Sequence, residues 1–105
     1  DVLMVDLHCE ATAEAVCLGH LWDGKASLIS GSHTHIPTAD AHIMPAGTGY
    51  HTDAGMCGFY DSSLGMQFAG AMARFEQGRR QPLTLAEGPG TLCGTYAEIN
   101  DQGLC

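Results

Sequence analysis

Residues 2–35 read VLMVDLHCEATAEAVCLGHLWDGKASLISGSHTH, and this stretch decides the expected fold. Residues 2–7 form an almost continuous apolar run, which is typical of a strand covered on both faces of an α/β sheet. Residues 11–22 carry apolar side chains at close to helical spacing, with Thr12 as the expected N-cap and Asp23-Gly24 as the end of the helix. A second apolar run occupies residues 25–29. The order strand, helix, strand predicts a parallel βαβ unit.

Histidines follow both predicted strands. His8 comes after the first strand, and the H-x-H pair of His33 and His35 comes after the second. Ligands of such sheets collect at the carboxyl ends of the strands, and side chains two apart on an extended segment share a face. Imidazole is a common ligand of zinc, iron and manganese. The three histidines therefore predict a metal site, whereas the alternative is that each one only forms hydrogen bonds in a loop.

Other polar residues are candidates for a supporting role. We expect Asp40 and Asp53 to orient a ligating imidazole through its second nitrogen. His51 precedes TDAG in a glycine-rich loop and is a candidate for the same role or for a substrate contact. His20 lies near the end of the predicted helix and is interpreted as structural, and His42 begins a short strand and is interpreted as a surface residue.

The rest of the chain predicts further short elements. Residues 41–55 indicate two short strands separated by the turn PAG, and FAGAMARFEQ predicts a helix over residues 68–77 that ends at Gly78. Residues 91–100 alternate like a strand and precede a turn at residues 101–103. No nucleophile elbow, P-loop or dinucleotide fingerprint is present, so metal chemistry is the strongest catalytic option.

Composition narrows the class of protein. A chain of 105 residues forms one domain at most, and its formal charge of −8 argues against stable binding to nucleic acids or to anionic membranes. No apolar run approaches the roughly 20 residues of a membrane span. Five cysteines without a C-x-x-C pair, and no signal peptide, predict reduced thiols in the cytoplasm.

Three motifs carry a resemblance to a known family. They are VDLHCEAT (residues 5–12), DGKASLISGSHTHIPTAD (residues 23–40) and GTGYHTDAGM (residues 47–56). Residues 5–66 resemble the bacterial metallophosphoesterases of the YmdB-like family, within the calcineurin-like superfamily. The remaining residues resemble the C-terminal part of that family.

The resemblance implies a fold and a chemistry. It implies an α/β sandwich of two mixed sheets flanked by helices, two divalent metal ions (iron, manganese or zinc) at one edge, and hydrolysis of phosphodiesters such as 2′,3′-cyclic nucleotides. By position, His8 and His33 resemble ligands of one ion, and His35 resembles a ligand of the other. Two ions polarise phosphoryl oxygens and activate water, which supplies the positive charge that the acidic chain lacks.

The chain also departs from the family pattern. The first half of the family supplies an aspartate, a glutamate-asparagine pair and an asparagine-histidine pair with the proposed general acid, and nothing in this sequence matches them. We therefore expect residues 1–105 to be the C-terminal portion of a single metallophosphoesterase domain that is inactive alone. Its expected partners are a small phosphodiester or nucleotide substrate, and the N-terminal half or a second copy. The alternatives are a noncatalytic domain with a single structural or regulatory ion, and a metal-free interaction protein.

Overall fold

The computed structural model describes residues 1–105. The chain divides into two compact units, one formed by Asp1–Met56 with Cys93–Cys105 and the other by Cys57–Leu92. The first unit contains all four strands and the first helix, and the second unit contains the second helix. That the whole chain belongs to a single domain of a longer enzyme stays a prediction.

The first unit is built on one mixed sheet. Its strands are β1 (Met4–His8), β2 (Leu28–Ser32), β3 (His42–Ile43) and β4 (Gly49–His51), in the order β1-β2-β4-β3. The first three strands in that order are parallel, and β3 runs antiparallel to β4. Helix α1 (Thr12–Trp22) connects β1 to β2. The α/β class, the parallel βαβ unit and the two short strands are confirmed.

Helix α1 packs against the sheet through small residues. Ala15 and Gly19 are its buried residues. A Cβ at Gly19 would lie 2.7 Å from a ring carbon of Tyr50, so glycine lets the aromatic ring approach the helix backbone. Tyr50 belongs to the hydrophobic core with Ala26, Ile29 and Met44, and half-buried Val5 and Leu7 pack against it. Burial of these side chains fixes the sheet that carries the histidines.

Several predicted boundaries differ from the structure. Strand β1 includes His8 and is not covered on both faces, because Met4 and His8 are exposed. Strand β2 begins at Leu28, three residues later than expected, since the N–H groups of residues 25 and 26 donate to the carbonyl of Trp22 and complete the helix end. Ala11, not Thr12, occupies the N-cap position, and no side chain caps the helix.

The second unit contains α2 (Phe68–Gln77), which ends at Gly78 as predicted. Gly78 adopts the left-handed conformation with φ of 63°, which glycine tolerates without a steric penalty.

The prediction of a strand over residues 91–100 is wrong, since only Thr91 forms a bridge, with Gly58. The turn at residues 101–103 is confirmed by a 2.9 Å hydrogen bond from the Gly103 N–H to the Asn100 carbonyl.

All five cysteines are free thiols in the structure. Neither helix has the length and apolar character needed to cross a membrane. The cytoplasmic location stays a prediction.

Candidate metal centre

Two of the predicted ligands meet at the carboxyl edge of the sheet. His8 is the last residue of β1 and stands opposite Ser32, the last residue of β2, so His33 directly follows the paired strand end. The Nε2 atom of His8 lies 3.1 Å from the Nδ1 atom of His33. The two rings meet edge to face, with centroids 5.0 Å apart and an interplanar angle of 80°. The parallel register therefore places two imidazole nitrogens at one point in space.

The Ser32 hydroxyl contacts the His8 ring at Nδ1, and its second contact bears on the His8 tautomer. The Ser32 hydroxyl donates to the Leu7 carbonyl over 3.5 Å and lies 3.0 Å from Nδ1 of His8. A hydroxyl has one proton, so His8 Nδ1 is the donor to Ser32 when that proton is directed to Leu7. The Nε2 lone pair of His8 then faces His33. Two nitrogens this close need either a shared proton or a shared cation between them.

The geometry suits two ligands of one metal ion but does not complete a site. Nitrogen ligands about 2.1 Å from an ion lie about 3.0 to 3.4 Å from each other, which matches the separation of His8 and His33. No group of three or more His, Cys, Asp and Glu side chains is arranged to hold an ion. The chain thus supplies donors of the right chemistry and only part of a ligand set.

The H-x-H segment does not have the extended geometry that the sequence suggested. His33 has φ of 142° and His35 has φ of 65°, both outside the range that L residues usually adopt. The segment consists of bends that follow β2, and both of its histidines are exposed. The alternation of a strand therefore does not determine where the two imidazoles lie. The structure brings His33 to His8, and the direction of the His35 imidazole depends on the backbone conformation of this segment.

Asp53 contacts the backbone of the H-x-H segment. Its carboxylate is buried, with an exposed fraction of 2%, and Oδ2 accepts a 2.7 Å hydrogen bond from the Thr34 N–H. Oδ1 accepts a 2.8 Å bond from the Gly55 N–H. Burial raises the pKa of Asp53, but these bonds and the charge of His35 outweigh it and hold the pKa below its usual value of 3.8. Asp53 is therefore an ionised carboxylate at neutral pH.

Asp40 has a different environment. The Thr38 hydroxyl donates to its Oδ1 over 2.5 Å, and the Thr52 hydroxyl donates to its Oδ2. Burial raises the pKa of Asp40, and the bonds from Thr38 and Thr52 lower it to a net value below 3.8. These contacts tie residues 38–40 to the end of β4. The predicted bond from Asp40 to a ligating imidazole stays a prediction.

His51 is the buried histidine of the chain, with an exposed fraction of 6%. Its Nε2 donates to the Thr38 carbonyl over 2.8 Å, since a carbonyl can only accept, and its Nδ1 lies 2.8 Å from the Thr95 hydroxyl. Thr95 also lies within hydrogen-bond distance of Ser30, at 3.1 Å between the hydroxyl oxygens. His51 therefore links the sheet to the C-terminal segment.

Sequence reasoning missed Thr34 and Thr95. Thr34 acts through its backbone N–H, a group that nearly every residue type carries, so the sequence does not single it out. Thr95 is 44 residues from His51 in the chain. The position of Thr34 between two candidate metal ligands was the available signal for its role. His20 lies in the last turn of α1, and His42 is exposed at the start of β3, as the sequence indicated.

The fold and the site define an α/β protein whose sheet presents histidines at the carboxyl edge of its parallel strands. The model of the YmdB-like protein family matches residues 1–105, and the chain belongs to this family.

Relatives of known name or structure agree with this assignment. The chain is 46% identical over 100 residues to the 2′,3′-cyclic-nucleotide 2′-phosphodiesterase of Bacillus subtilis strain 168, a match that covers 95% of this chain and 38% of the relative. A crystal structure described as a hypothetical protein from Thermus thermophilus superposes with a TM-score of 0.81 at 46% identity, covering 85% of this chain and 35% of that one. A novel phosphatase from Mycoplasma pneumoniae superposes with a TM-score of 0.77 at 36% identity, covering 82% and 31%. The mixed α/β fold is thus that of part of a metallophosphoesterase, and this chain spans well under half the length of these relatives.

Proposed function

We propose that the chain is the C-terminal portion of a metal-dependent phosphodiesterase that hydrolyses phosphodiesters such as 2′,3′-cyclic nucleotides. The observation that carries the proposal is the 3.1 Å separation of His8 Nε2 and His33 Nδ1 at the ends of two parallel strands. The Bacillus subtilis relative, named as a 2′,3′-cyclic-nucleotide 2′-phosphodiesterase, supports the reaction class. The acidic chain has only four Lys and Arg residues, so a phosphate substrate needs another source of positive charge.

His8 and His33 would hold one ion, and His35 would hold a second. Divalent ions such as iron, manganese or zinc would polarise the phosphoryl oxygens and lower the pKa of water. Ser32 contributes by fixing the His8 ring, since a bond at Nδ1 directs the Nε2 lone pair toward His33. The remaining ligands and the proton donor for the leaving group come from the portion of the enzyme that this chain lacks. We further propose that the enzyme acts in the cytoplasm, where its free thiols stay reduced.

The test is a chimaera with a relative. The matched 100 residues of the Bacillus subtilis phosphodiesterase are replaced by this chain, and hydrolysis of 2′,3′-cyclic AMP is measured with and without Mn²⁺. We expect Mn²⁺-dependent hydrolysis by the chimaera, none by the 105-residue chain alone, and none by the chimaera with His33→Ala. The exposed helix residue His20 provides the matched control, because His20→Ala removes an imidazole outside the site.

The outcomes separate the candidate functions. Full activity of a folded His33→Ala chimaera would contradict the proposal. A folded chimaera without activity, together with one zinc ion held tightly by this chain alone, would instead favour a noncatalytic metal-binding domain. Circular dichroism of each variant establishes that it is folded.

A further inference from the structure

The H-x-H segment has a backbone conformation that its own residues do not favour. His33 and His35 both have positive φ, at 142° and 65°, and they are separated by one residue. Neither is glycine, so each conformation persists only where surrounding contacts determine it. The contacts that hold the backbone between the two histidines therefore also fix the directions of their imidazoles.

The segment after β4 supplies these contacts. The Asp53 carboxylate accepts the Thr34 N–H at 2.7 Å, between the two histidines. On either side, the Ala54 N–H donates to the Gly31 carbonyl at 2.9 Å and the Met56 N–H donates to the His35 carbonyl at 3.1 Å. Of these three contacts, the one from Asp53 is made by a side chain and is the one that a substitution can remove.

Asp53 is itself fixed in place. Its side chain is buried, its N–H donates to the Thr38 hydroxyl at 3.0 Å, and its carbonyl accepts the Thr38 N–H at 3.0 Å. The second carboxylate oxygen accepts the Gly55 N–H at 2.8 Å. A buried ionised carboxylate with two backbone donors makes stronger bonds than a neutral acceptor, so it can hold a strained backbone.

We infer that Asp53 is a positioning residue that fixes His33 and His35 for metal binding by holding the Thr34 N–H between them. The inference rests on the proposed function for its metal-binding part. It differs from the expectation that Asp53 orients an imidazole, because the hydrogen bond that carries it goes to the backbone. Asp53 thereby acts on both ligands of the segment at once.

Asp23 offers a matched control. It is also a carboxylate that accepts two backbone N–H groups, from Ala46 at 2.9 Å and from Thr48 at 3.3 Å, but these residues precede β4, whereas Asp53 follows that strand. An Asp→Asn change at either position keeps the side-chain shape and removes the charge. An effect on the H-x-H segment should therefore appear for Asp53→Asn and not for Asp23→Asn.

Two measurements test the inference. Amide hydrogen exchange at Thr34 is followed by NMR in the 105-residue chain, and the Mn²⁺ dissociation constant is measured by electron paramagnetic resonance in the chimaera. We expect Asp53→Asn to accelerate exchange at Thr34 by about tenfold or more, because the charged acceptor of its N–H is replaced by a neutral amide. We expect it to weaken Mn²⁺ binding by about 10- to 100-fold, the usual effect of losing a residue that supports a ligand. Asp23→Asn should change neither quantity by as much as about twofold, well below those effects.

Unchanged Thr34 exchange in folded Asp53→Asn would overturn the inference, and so would equal weakening of Mn²⁺ binding by the two variants. Asp53→Ala, which leaves no acceptor, should exceed Asp53→Asn in both measurements. If that variant does not fold, the Asn variant decides. A parent chimaera that does not bind Mn²⁺ would contradict the proposed function, whereas Thr34 exchange would still show whether Asp53 holds the segment.

Discussion

His8 Nε2 and His33 Nδ1 lie 3.1 Å apart, although the two residues are separated by 25 positions in the chain. The βαβ crossover produces this proximity, because both residues lie at the carboxyl ends of neighbouring parallel strands. The Ser32 hydroxyl beside His8 then fixes one imidazole, and the backbone contacts of Asp53 fix the other. The site is thus a product of strand register and of the segment that follows β2.

Gly31→Ala should destabilise the edge of the sheet that carries the histidines. A Cβ at Gly31 would overlap the backbone carbonyl of Thr52, and a backbone atom cannot swing aside like a side chain. We expect a loss of about 1–3 kcal/mol or more in the free energy of unfolding, typical of overpacking. Urea unfolding followed by circular dichroism measures it.

Gly94→Ala is the control for that substitution. A Cβ at Gly94 would meet no atom within 4 Å, so this variant should unfold with nearly the parent free energy. Equal stability of the Gly31 and Gly94 variants would show that the contact between Gly31 and Thr52 is not as close as described.

Asp40 should make the stability of the chain depend on acid pH. Its pKa in the folded chain is below the usual 3.8, because the bonds from Thr38 and Thr52 outweigh the burial that raises it. A lowered folded pKa contributes stability above the unfolded pKa, and that stability is lost as pH falls through the folded pKa. We expect Asp40→Asn to flatten the fall in the free energy of unfolding below about pH 4, near the unfolded value of the carboxyl group.

Urea titrations from neutral to acid pH provide the measurement. Thr52→Val, which removes one hydroxyl donor to Asp40, should reproduce part of the effect. Parallel stability curves for the parent chain and Asp40→Asn over the whole acid range would contradict the prediction.

Tyr50 should have the opposite effect at alkaline pH. Burial raises its pKa above 10.0, with further contributions from the charges of Asp40 and Cys9, and the Thr52 bond lowers it in part. A raised folded pKa contributes stability that is present below the unfolded pKa and is lost as pH rises through the folded value. We expect Tyr50→Phe to reduce the alkaline loss of stability and to cost about 1 kcal/mol at neutral pH, where its hydrogen bond to Thr52 is lost.

Unfolding free energies at neutral pH and above the unfolded pKa of tyrosine, about 10, measure this difference. The change between the two conditions should be smaller for Tyr50→Phe than for the parent chain. An identical change in both proteins would show that the Tyr50 hydroxyl does not contribute to the alkaline loss.

The sequence predicted the parts of the fold that depend on the spacing of apolar residues and on residues that end a helix. Apolar runs and a helical spacing indicated the βαβ unit, and Gly78 marked the end of α2. Residues 91–100 show the limit of this reasoning, because alternation makes a strand only where a neighbouring strand offers hydrogen bonds, and only Thr91 has such a partner.

For the site, the sequence predicted that His8 and His33 meet at one sheet edge. It could not predict the positive φ of His33 and His35, since only a few per cent of residues other than glycine adopt that conformation, even though histidine is enriched among them. The backbone contact from Asp53 to Thr34 and the bond between His51 and Thr95 depend on tertiary packing, so they also lay beyond it.

The most direct test of the central claim is the number of metal ions bound by the chimaera, measured by elemental analysis after equilibration with Mn²⁺. Since His8 and His33 are proposed to share one ion and His35 to hold the other, we expect two ions in the parent and in the His20→Ala control. His8→Ala and His33→Ala should each retain one, and the double variant His33→Ala/His35→Ala should retain none. Two ions in a folded His33→Ala chimaera would contradict the account.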